Sequence, residues 1–165
     1  HYAIADLEKE YSVTVITQNV DNLHERAGST KVLHLHGEAT KVRPEDGEYD
    51  RSYSEKEVID IGYDEVHLGD NAPNGSQLRP HIVFFGEAVP NIEKAIDIVS
   101  AADIMLIVGT SLNVYPAAGL YRYAPNGIPI YLLDPDDVAI ADPRITQIRQ
   151  VATKGMETFR RMLGQ

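Results

Sequence analysis

The feature that most constrains the fold of this chain is a series of short apolar runs that alternate with helical patterns. The runs at 12–17, 103–108 and 128–133 are rich in β-branched and aliphatic residues, as expected of strands that are covered on both faces. Between them, apolar residues recur at intervals of three and four, for example in the segment that begins at Asn91. This alternation predicts an α/β fold, with a mostly parallel, doubly wound sheet and helices on both faces.

Shorter signals complete this prediction. Further strands are expected at 31–36, 81–85 and 145–151, and helices at 2–11, 22–28 and 116–123. Gly28 stands where a helix commonly ends, and Thr153 is the expected cap of a final helix.

The segment 40–79 interrupts the pattern. Its acidic residues outnumber its basic ones. Apolar residues occupy every second position at 59–63 and at 66–68, and Asn74-Gly75 is a turn signal. We therefore predict a small β-rich insertion, 40–79, within a larger domain formed by 1–39 and 80–165. A charge run of this kind is usually a solvated face. The core of the insertion is expected to come from its apolar side chains: Val42, Tyr49, Tyr53, Ile59, Ile61, Val66 and Leu68.

Composition excludes several classes of protein. The 165 residues carry a formal net charge of −10, which argues against a nucleic-acid partner because such proteins need a basic face. No apolar run approaches the ~20 residues of a membrane span, and the first residues do not resemble a signal peptide. The sequence has no cysteine, which excludes disulfides, thiolate nucleophiles and cysteine-held metals. The cytoplasm is therefore the expected compartment.

Polar residues follow the predicted strands, at the sheet edge where α/β proteins bind ligands. Gln18, Asn19 and Asp21 come directly after the first strand. Either they bind a ligand, or Asn19 and Asp21 cap the next helix. His34 and His36 lie on one side of the second strand. Each is either a hydrogen-bonded structural histidine or, for His36 beside a glycine, a general base.

Gly109, Thr110 and Ser111 follow the strand at 103–108. Small residues there allow the backbone to approach a ligand, and their amides and hydroxyls can hold phosphate. Neither of the common glycine-rich nucleotide motifs occurs in the chain, and no histidine spacing typical of a metal site occurs either. No metal site is predicted.

Taken together, four segments resemble the sirtuins, the NAD-dependent protein lysine deacylases, in a bacterial or archaeal form. The segments occur in the family's order and spacing: TQNVDNLHERAG at 17–28, HLHGE at 34–38, RPHIVFFGE at 79–87 and GTSLNVYPAAGL at 109–120. The resemblance implies a Rossmann-like fold. It also implies NAD as the cofactor and an acylated lysine of a protein as the substrate.

The resemblance also implies roles for individual residues. His36 matches the catalytic histidine, with Asn19 and Asp21 orienting the reactants. The cofactor-binding residues it implies are Gln18, Asn19, Val20, Asp21, Gly109, Thr110, Ser111, Leu132, Asp134 and Ala152. For the adenine ribose, either the backbone of Leu132 or the carboxylate of Asp134 is the contact. The substrate peptide is expected to lie along Val83, Phe85, Gly86, Glu87 and Val114.

The implied reaction releases nicotinamide and transfers the acyl group from lysine to give O-acyl-ADP-ribose. His36 would act as general base on a ribose hydroxyl, and the aromatic side chain of Phe85 would shelter the acyl-lysine stem.

Two features depart from the family. Its four zinc cysteines are absent, and Arg43 stands where the first is expected, so the insertion should be zinc-free. The family's glycine-rich NAD segment, with the first strand of its sheet, is also missing. The sheet would then have a gap with unpaired edges, which would favour oligomerisation. A chain that starts with His1 inside a predicted helix indicates a trimmed terminus or, as we expect, a fragment of a longer protein.

Other functions remain as alternatives. The chain could be a catalytically inert fragment or a non-catalytic nucleotide-binding remnant, because half of the family's cofactor pocket is missing. ADP-ribosyl transfer to protein would use the same residues. A protein-interaction module built on the acidic insertion would bind a basic partner in a salt-sensitive way.

Overall fold

The computed structural model describes residues 1–45, 57–110 and 112–164. The chain divides into two compact units, His1–Asn91 and Ile92–Gln165. The boundary differs from the predicted division into 1–39 with 80–165 and an insertion at 40–79, which stays a prediction. Within the described residues, no helix is both long and apolar enough to cross a membrane.

The first unit begins with a β-α-β motif. Helix α1 (Tyr2–Asp6) continues as a 3-10 turn (Leu7–Lys9), followed by β1 (Val15–Thr17), α2 (Leu23–Ala27) and β2 (Val32–His34). Strands β1 and β2 are parallel, with Val15 opposite Val32. Gly28 ends α2 with φ 105°, a left-handed conformation that glycine adopts without strain, as predicted.

An antiparallel sheet follows in the same unit. It consists of β3 (Gly37–Pro44), β4 (Ile59–Asp60) and β5 (Leu78–Ile82), with β3 in the centre. The pairing of β3 with β5 shifts register between Glu38 and Val42. The sheet therefore spans 37–82 and extends beyond both ends of the predicted insertion.

The second unit is a three-stranded parallel sheet with helices. Its elements are α3 (Ile92–Ser100), β6 (Met105–Val108), a 3-10 helix (Ala117–Tyr123), β7 (Ile130–Leu133), β8 (Ile145–Ile148) and α4 (Ala152–Met162). The strand order is β6-β7-β8. The core of this unit is aliphatic and includes Ala95, Ile130, Leu132 and Leu133, all at most 1% exposed.

The parallel strands thus form two sheets, one of two strands and one of three. Among the described strands, β1 pairs only with β2, and β6 only with β7. One edge of β1 and one edge of β6 therefore pair with no described strand, and the expected missing strand stays a prediction.

Two local predictions were wrong. The strand expected at 81–85 ends at Ile82, because a tight turn follows at 84–87. This strand, β5, pairs antiparallel with β3. Thr153 does not cap α4, since the helix begins at Ala152 after Val151 and has no side-chain cap. The short helix predicted at 116–123 is confirmed as a 3-10 helix, Ala117–Tyr123.

The predicted core of the insertion was partly right. Val42 is 1% exposed, whereas Ile59 is 40% exposed and Leu68 98% exposed. Strand β4 has only two residues, so its side chains receive little cover from neighbouring strands. Tyr49 and Tyr53 lie outside the described residues.

Candidate active site

The segment between β1 and α2 carries the first group of predicted site residues. The hydroxyl of Thr17 accepts a hydrogen bond from the Asn19 amide at 3.0 Å, and Asp21 Oδ1 accepts one from the Leu23 amide at 3.0 Å. Asp21 therefore satisfies an amide at the start of α2, which is the structural role left open by the sequence. The Asn19 side chain is exposed and makes no hydrogen bond to the described residues.

His36 presents one ring nitrogen for chemistry. Its Nδ1 lies 3.1 Å from the carbonyl oxygen of Gln18. Because a carbonyl only accepts, Nδ1 carries the proton, and the neutral ring holds its lone pair at Nε2. The side chain is half-buried, and its Nε2 makes no hydrogen bond within the described residues. His36 is thus arranged as a proton acceptor, as a general base requires.

His34 is arranged for structure. It is 6% exposed, with Nδ1 3.0 Å from the Asn19 carbonyl oxygen and Nε2 2.8 Å from Glu25 Oε1. Burial of the Glu25 carboxyl acts to raise its pKa. The hydrogen bond from His34 and the nearby histidine charges outweigh this effect, and the pKa of Glu25 is lowered. Together the two histidines hold the backbone carbonyls of consecutive residues, Gln18 and Asn19.

A close backbone crossing joins His36 to the end of β5. The Val83 amide donates to the His36 carbonyl at 2.9 Å. Next to this bond, Gly37 has φ 78°, and a Cβ atom there would lie 2.0 Å from the His81 carbonyl oxygen. Only glycine fits this crossing. The first unit therefore brings together the predicted catalytic histidine and the start of the predicted peptide-binding segment.

The turn at 84–87 is held by the carboxylate of Glu87. This side chain is 12% exposed, and it accepts hydrogen bonds from Arg79 at 2.7 Å and from the Phe84 amide at 2.9 Å. Arg43 lies 3.7 Å away. Burial acts to raise the pKa of Glu87, but its hydrogen bonds and the two arginine charges hold that pKa below the ordinary value. Gly86 and Phe85 are exposed on the turn, Phe85 at 97%.

The second unit carries the other predicted residues at the carboxyl ends of its strands. Gly109 follows β6 with φ 62°, and no atom lies within 4 Å of the position that a Cβ would take. The Thr110 hydroxyl accepts a hydrogen bond from the Leu112 amide at 3.1 Å. A ligand can approach the backbone closely at Gly109, as phosphate binding requires. Ser111 lies outside the described residues.

Leu132 and Asp134 differ in what they can offer a ligand. Leu132 is 1% exposed and lies in the central strand β7, paired on both sides. Asp134 is half-buried just beyond that strand, and its Oδ1 accepts a hydrogen bond from the Asp136 amide at 2.9 Å. Ala152 begins α4 and is exposed, and Val114 is 45% exposed.

Sequence reasoning missed the residues that position the site. Arg79, Arg43 and Glu25 make the contacts described above, yet the sequence assigned none of them this role. Glu25 and Arg79 do lie inside the quoted segments 17–28 and 79–87. The one available signal was that these two charged residues lie inside the motifs. Their partners cannot be read from the sequence.

Known proteins match both the sequence and the fold. The sequence model of the Sir2 family matches residues 1–116. An NAD-dependent protein deacylase of Bacteroides thetaiotaomicron is 54% identical over 164 residues, covering 99% of this chain and 69% of its own length. A second one, from Aggregatibacter actinomycetemcomitans, is 54% identical and covers 82% of this chain and 62% of its own length.

Two solved structures show the same fold. A complex of a Sir2 homologue mutant with ADP-ribose has a TM-score of 0.79 at 32% identity, covering 99% of this chain and 67% of the other. A Sir2 complex with a p53 peptide and NAD+ has a TM-score of 0.74 at 31% identity, covering 99% and 69%. The chain thus spans about two thirds of the proteins it matches. Its motifs, its α/β fold and these similarities agree: the chain belongs to the Sir2 family.

Proposed function

We propose that this protein removes acyl groups from protein lysines in an NAD-dependent reaction. The observation that carries the proposal is the state of His36, whose Nδ1 is committed to the Gln18 carbonyl while Nε2 is left to accept a proton. NAD, when bound, supplies the ADP-ribosyl group that accepts the acyl group as nicotinamide is released. His36 would take up the proton of a ribose hydroxyl at Nε2.

The residues of the chain fit an NAD-type ligand. The open backbone at Gly109, with the Thr110 hydroxyl beside it, supports a role in holding phosphate. Asn19 has a free side-chain amide for the nicotinamide or its ribose, whereas Asp21 has one oxygen committed to α2. Gln18 and Val20 would contribute backbone. Their carbonyls already accept bonds from His36 and from the Ala39 amide.

For the adenine ribose, we assign the contact to Asp134. The Leu132 side chain is buried and its strand is paired on both sides, which leaves it little to offer a ligand. A carboxylate at the end of a central strand can accept hydrogen bonds from ribose hydroxyls. Ala152, at the start of α4, would contribute its backbone.

The substrate would be a peptide with an acylated lysine. Val83, Phe85 and Gly86 of the first unit would line its path. The peptide would bind as an extended segment along exposed backbone. The relatives named deacylases and the neighbour bound to a p53 peptide support this substrate class. Glu87 lies on the same turn, but both of its oxygens are engaged. We therefore assign Glu87 to positioning of the turn.

The decisive experiment measures product formation by mass spectrometry. The purified protein is incubated with NAD and an acetyl-lysine peptide, and we expect nicotinamide and O-acetyl-ADP-ribose in equal amounts, only when the peptide is acetylated. His36→Ala should abolish both products. His67→Ala is the matched control, because His67 is an exposed histidine in the connection between β4 and β5, and it should leave the rate unchanged.

A folded sample that forms no product would overturn the proposal and leave the alternative of an inert or nucleotide-binding Sir2 fragment. Thermal shift with ADP-ribose would then detect such binding, since a ligand that binds only the folded state raises its stability.

We also propose a cytoplasmic location and an insertion that folds without cysteine-held zinc.

A further inference from the structure

Three side chains from separate elements of the first unit converge on one point. Glu25 on α2, His34 on β2 and Glu38 on β3 each offer one ligand atom, and these atoms lie within 4.8 Å of one another. We propose that they form a binding site for one divalent first-row transition-metal ion. The site is independent of the proposed deacylation, because it uses no residue assigned to that reaction.

The histidine is oriented as a metal ligand commonly is. Histidines that bind metals usually donate their other ring N–H to a carbonyl or carboxylate, which fixes the ring and the tautomer. His34 is 6% exposed, and its Nδ1 donates to the Asn19 carbonyl at 3.0 Å. Its Nε2 is thereby directed at the two carboxylates, with Glu25 Oε1 at 2.8 Å.

The charges at this point favour a dication. In the metal-free state, Glu25 Oε1 lies 2.8 Å from His34 Nε2, and Glu38 pairs with the Lys41 ammonium at 2.6 Å. One divalent ion between the two carboxylates can replace both contacts. On binding, Nε2 gives its lone pair to the ion, and the Lys41 side chain, 31% exposed, turns into solvent.

The donor set indicates the class of ion. One imidazole nitrogen with two carboxylate oxygens suits zinc and similar ions, whereas magnesium prefers oxygen ligands alone. Ligand bonds of about 2.0–2.1 Å place tetrahedral donors roughly 3.4 Å apart. On binding, the His34 Nε2–Glu25 Oε1 pair at 2.8 Å must therefore open slightly, whereas pairs that are wider, up to 4.8 Å, must close. Three protein ligands leave the fourth position to water.

Such an ion would fix the segment between β1 and α2. His34 holds the Asn19 carbonyl, and Glu25 belongs to the helix that ends this segment. An ion bound to both would therefore join α2, β2 and β3. The expected physical effect is a higher melting temperature in the presence of the ion.

The test is titration of the purified metal-free protein with zinc, followed by calorimetry and by the melting temperature. We expect one zinc ion per chain, and a spectrum at the zinc absorption edge that reports a single imidazole ligand. Glu38→Gln should weaken binding by about tenfold or more. Lys41→Met should strengthen it, because the competing ammonium is removed.

His67→Gln is the control for a surface site. His67 is exposed, lies 3.2 Å from Glu65 and 3.6 Å from Asp70, and could bind zinc adventitiously. The proposal predicts unchanged affinity in this variant. Zinc binding that is lost in His67→Gln but kept in Glu38→Gln would overturn the proposal, as would the absence of binding. If Glu38→Gln does not fold, the Lys41→Met result decides, and unchanged or weaker affinity there also overturns it.

Discussion

At the scale of the residue, the carboxylate of Glu87 shows how one side chain can hold a turn within a motif. It accepts hydrogen bonds from Arg79 and the Phe84 amide, with Arg43 nearby. Glu87→Gln removes the charge while keeping the shape. We expect a loss of about 2 kcal/mol in unfolding free energy, because the largely buried guanidinium of Arg79 loses its charged hydrogen-bond acceptor.

The same variant should change the KM values of the two substrates differently. A displaced turn at 84–87 would raise KM for the acylated peptide while KM for NAD stays close to its original value. Steady-state kinetics with each substrate varied in turn measures this split. Glu93→Gln, on the exposed surface of α3, is the control and should change neither constant. Equal increases in both constants would contradict a role limited to the turn.

The lowered pKa of Glu87 also predicts a pH dependence. Its ordinary value is 4.5, and the folded value lies below this. The unfolded state therefore binds the proton more readily, so the contribution of Glu87 is complete above about pH 4.5 and is lost as pH falls through the folded pKa. Urea unfolding from pH 6 to pH 3 should show a shallower acid decline in Glu87→Gln. An identical decline in both proteins would contradict the prediction.

At the scale of the element, Gly37 decides how β3 meets β5. A side chain there would combine a positive φ of 78° with a clash 2.0 Å from the His81 carbonyl oxygen. We expect Gly37→Ala to cost about 3 kcal/mol or more, as measured by chemical unfolding. Gly69→Ala is the matched control, because Gly69 also has a positive φ, 99°, but has open space around it. It should cost only about 1 kcal/mol.

Helix α4 and strand β7 meet at another glycine. A Cβ on Gly155 would lie 2.7 Å from Leu133 Cγ and Cδ2, and Leu133 is 1% exposed. Gly155→Ala gains about 1 kcal/mol in helix propensity, but overpacking costs roughly 1–3 kcal/mol. We expect net destabilisation.

A double-mutant cycle with Leu133→Val tests this cause. Shortening Leu133 creates room for the added methyl, so the double variant should be more stable than the sum of the two single changes predicts. Strict additivity would show that the clash is not the source of the effect.

At the scale of the whole molecule, each parallel sheet has two edge strands that pair with a described strand on one side only. They include β1 and β6, which are largely apolar. Unpaired backbone of this kind favours pairing with another chain. We expect this chain to associate as its concentration rises, which sedimentation velocity over a dilution series measures. A monomer at every concentration would contradict this expectation.

Much of the fold follows from local patterns. The strands at β1, β6 and β7 and the glycine end of α2 depend on neighbours a few residues away, so their signals are readable in the sequence. The end of β5 was mispredicted because it depends on Glu87, whose carboxylate closes the turn at 84–87. The exposure of Leu68 was also missed, since burial depends on which segments pack over it.

The sequence by itself determined the family, through four ordered motifs, and it identified His36 as the catalytic candidate. Only the tertiary structure decided the chemical state of each group. It assigned the free nitrogen of His36 to Nε2, used both nitrogens of His34 in hydrogen bonds, and placed Glu38 beside Glu25. The physical reason is that the partners of a side chain are separated from it in sequence. Hydrogen bonds and ion pairs between such partners form only when the backbone has folded.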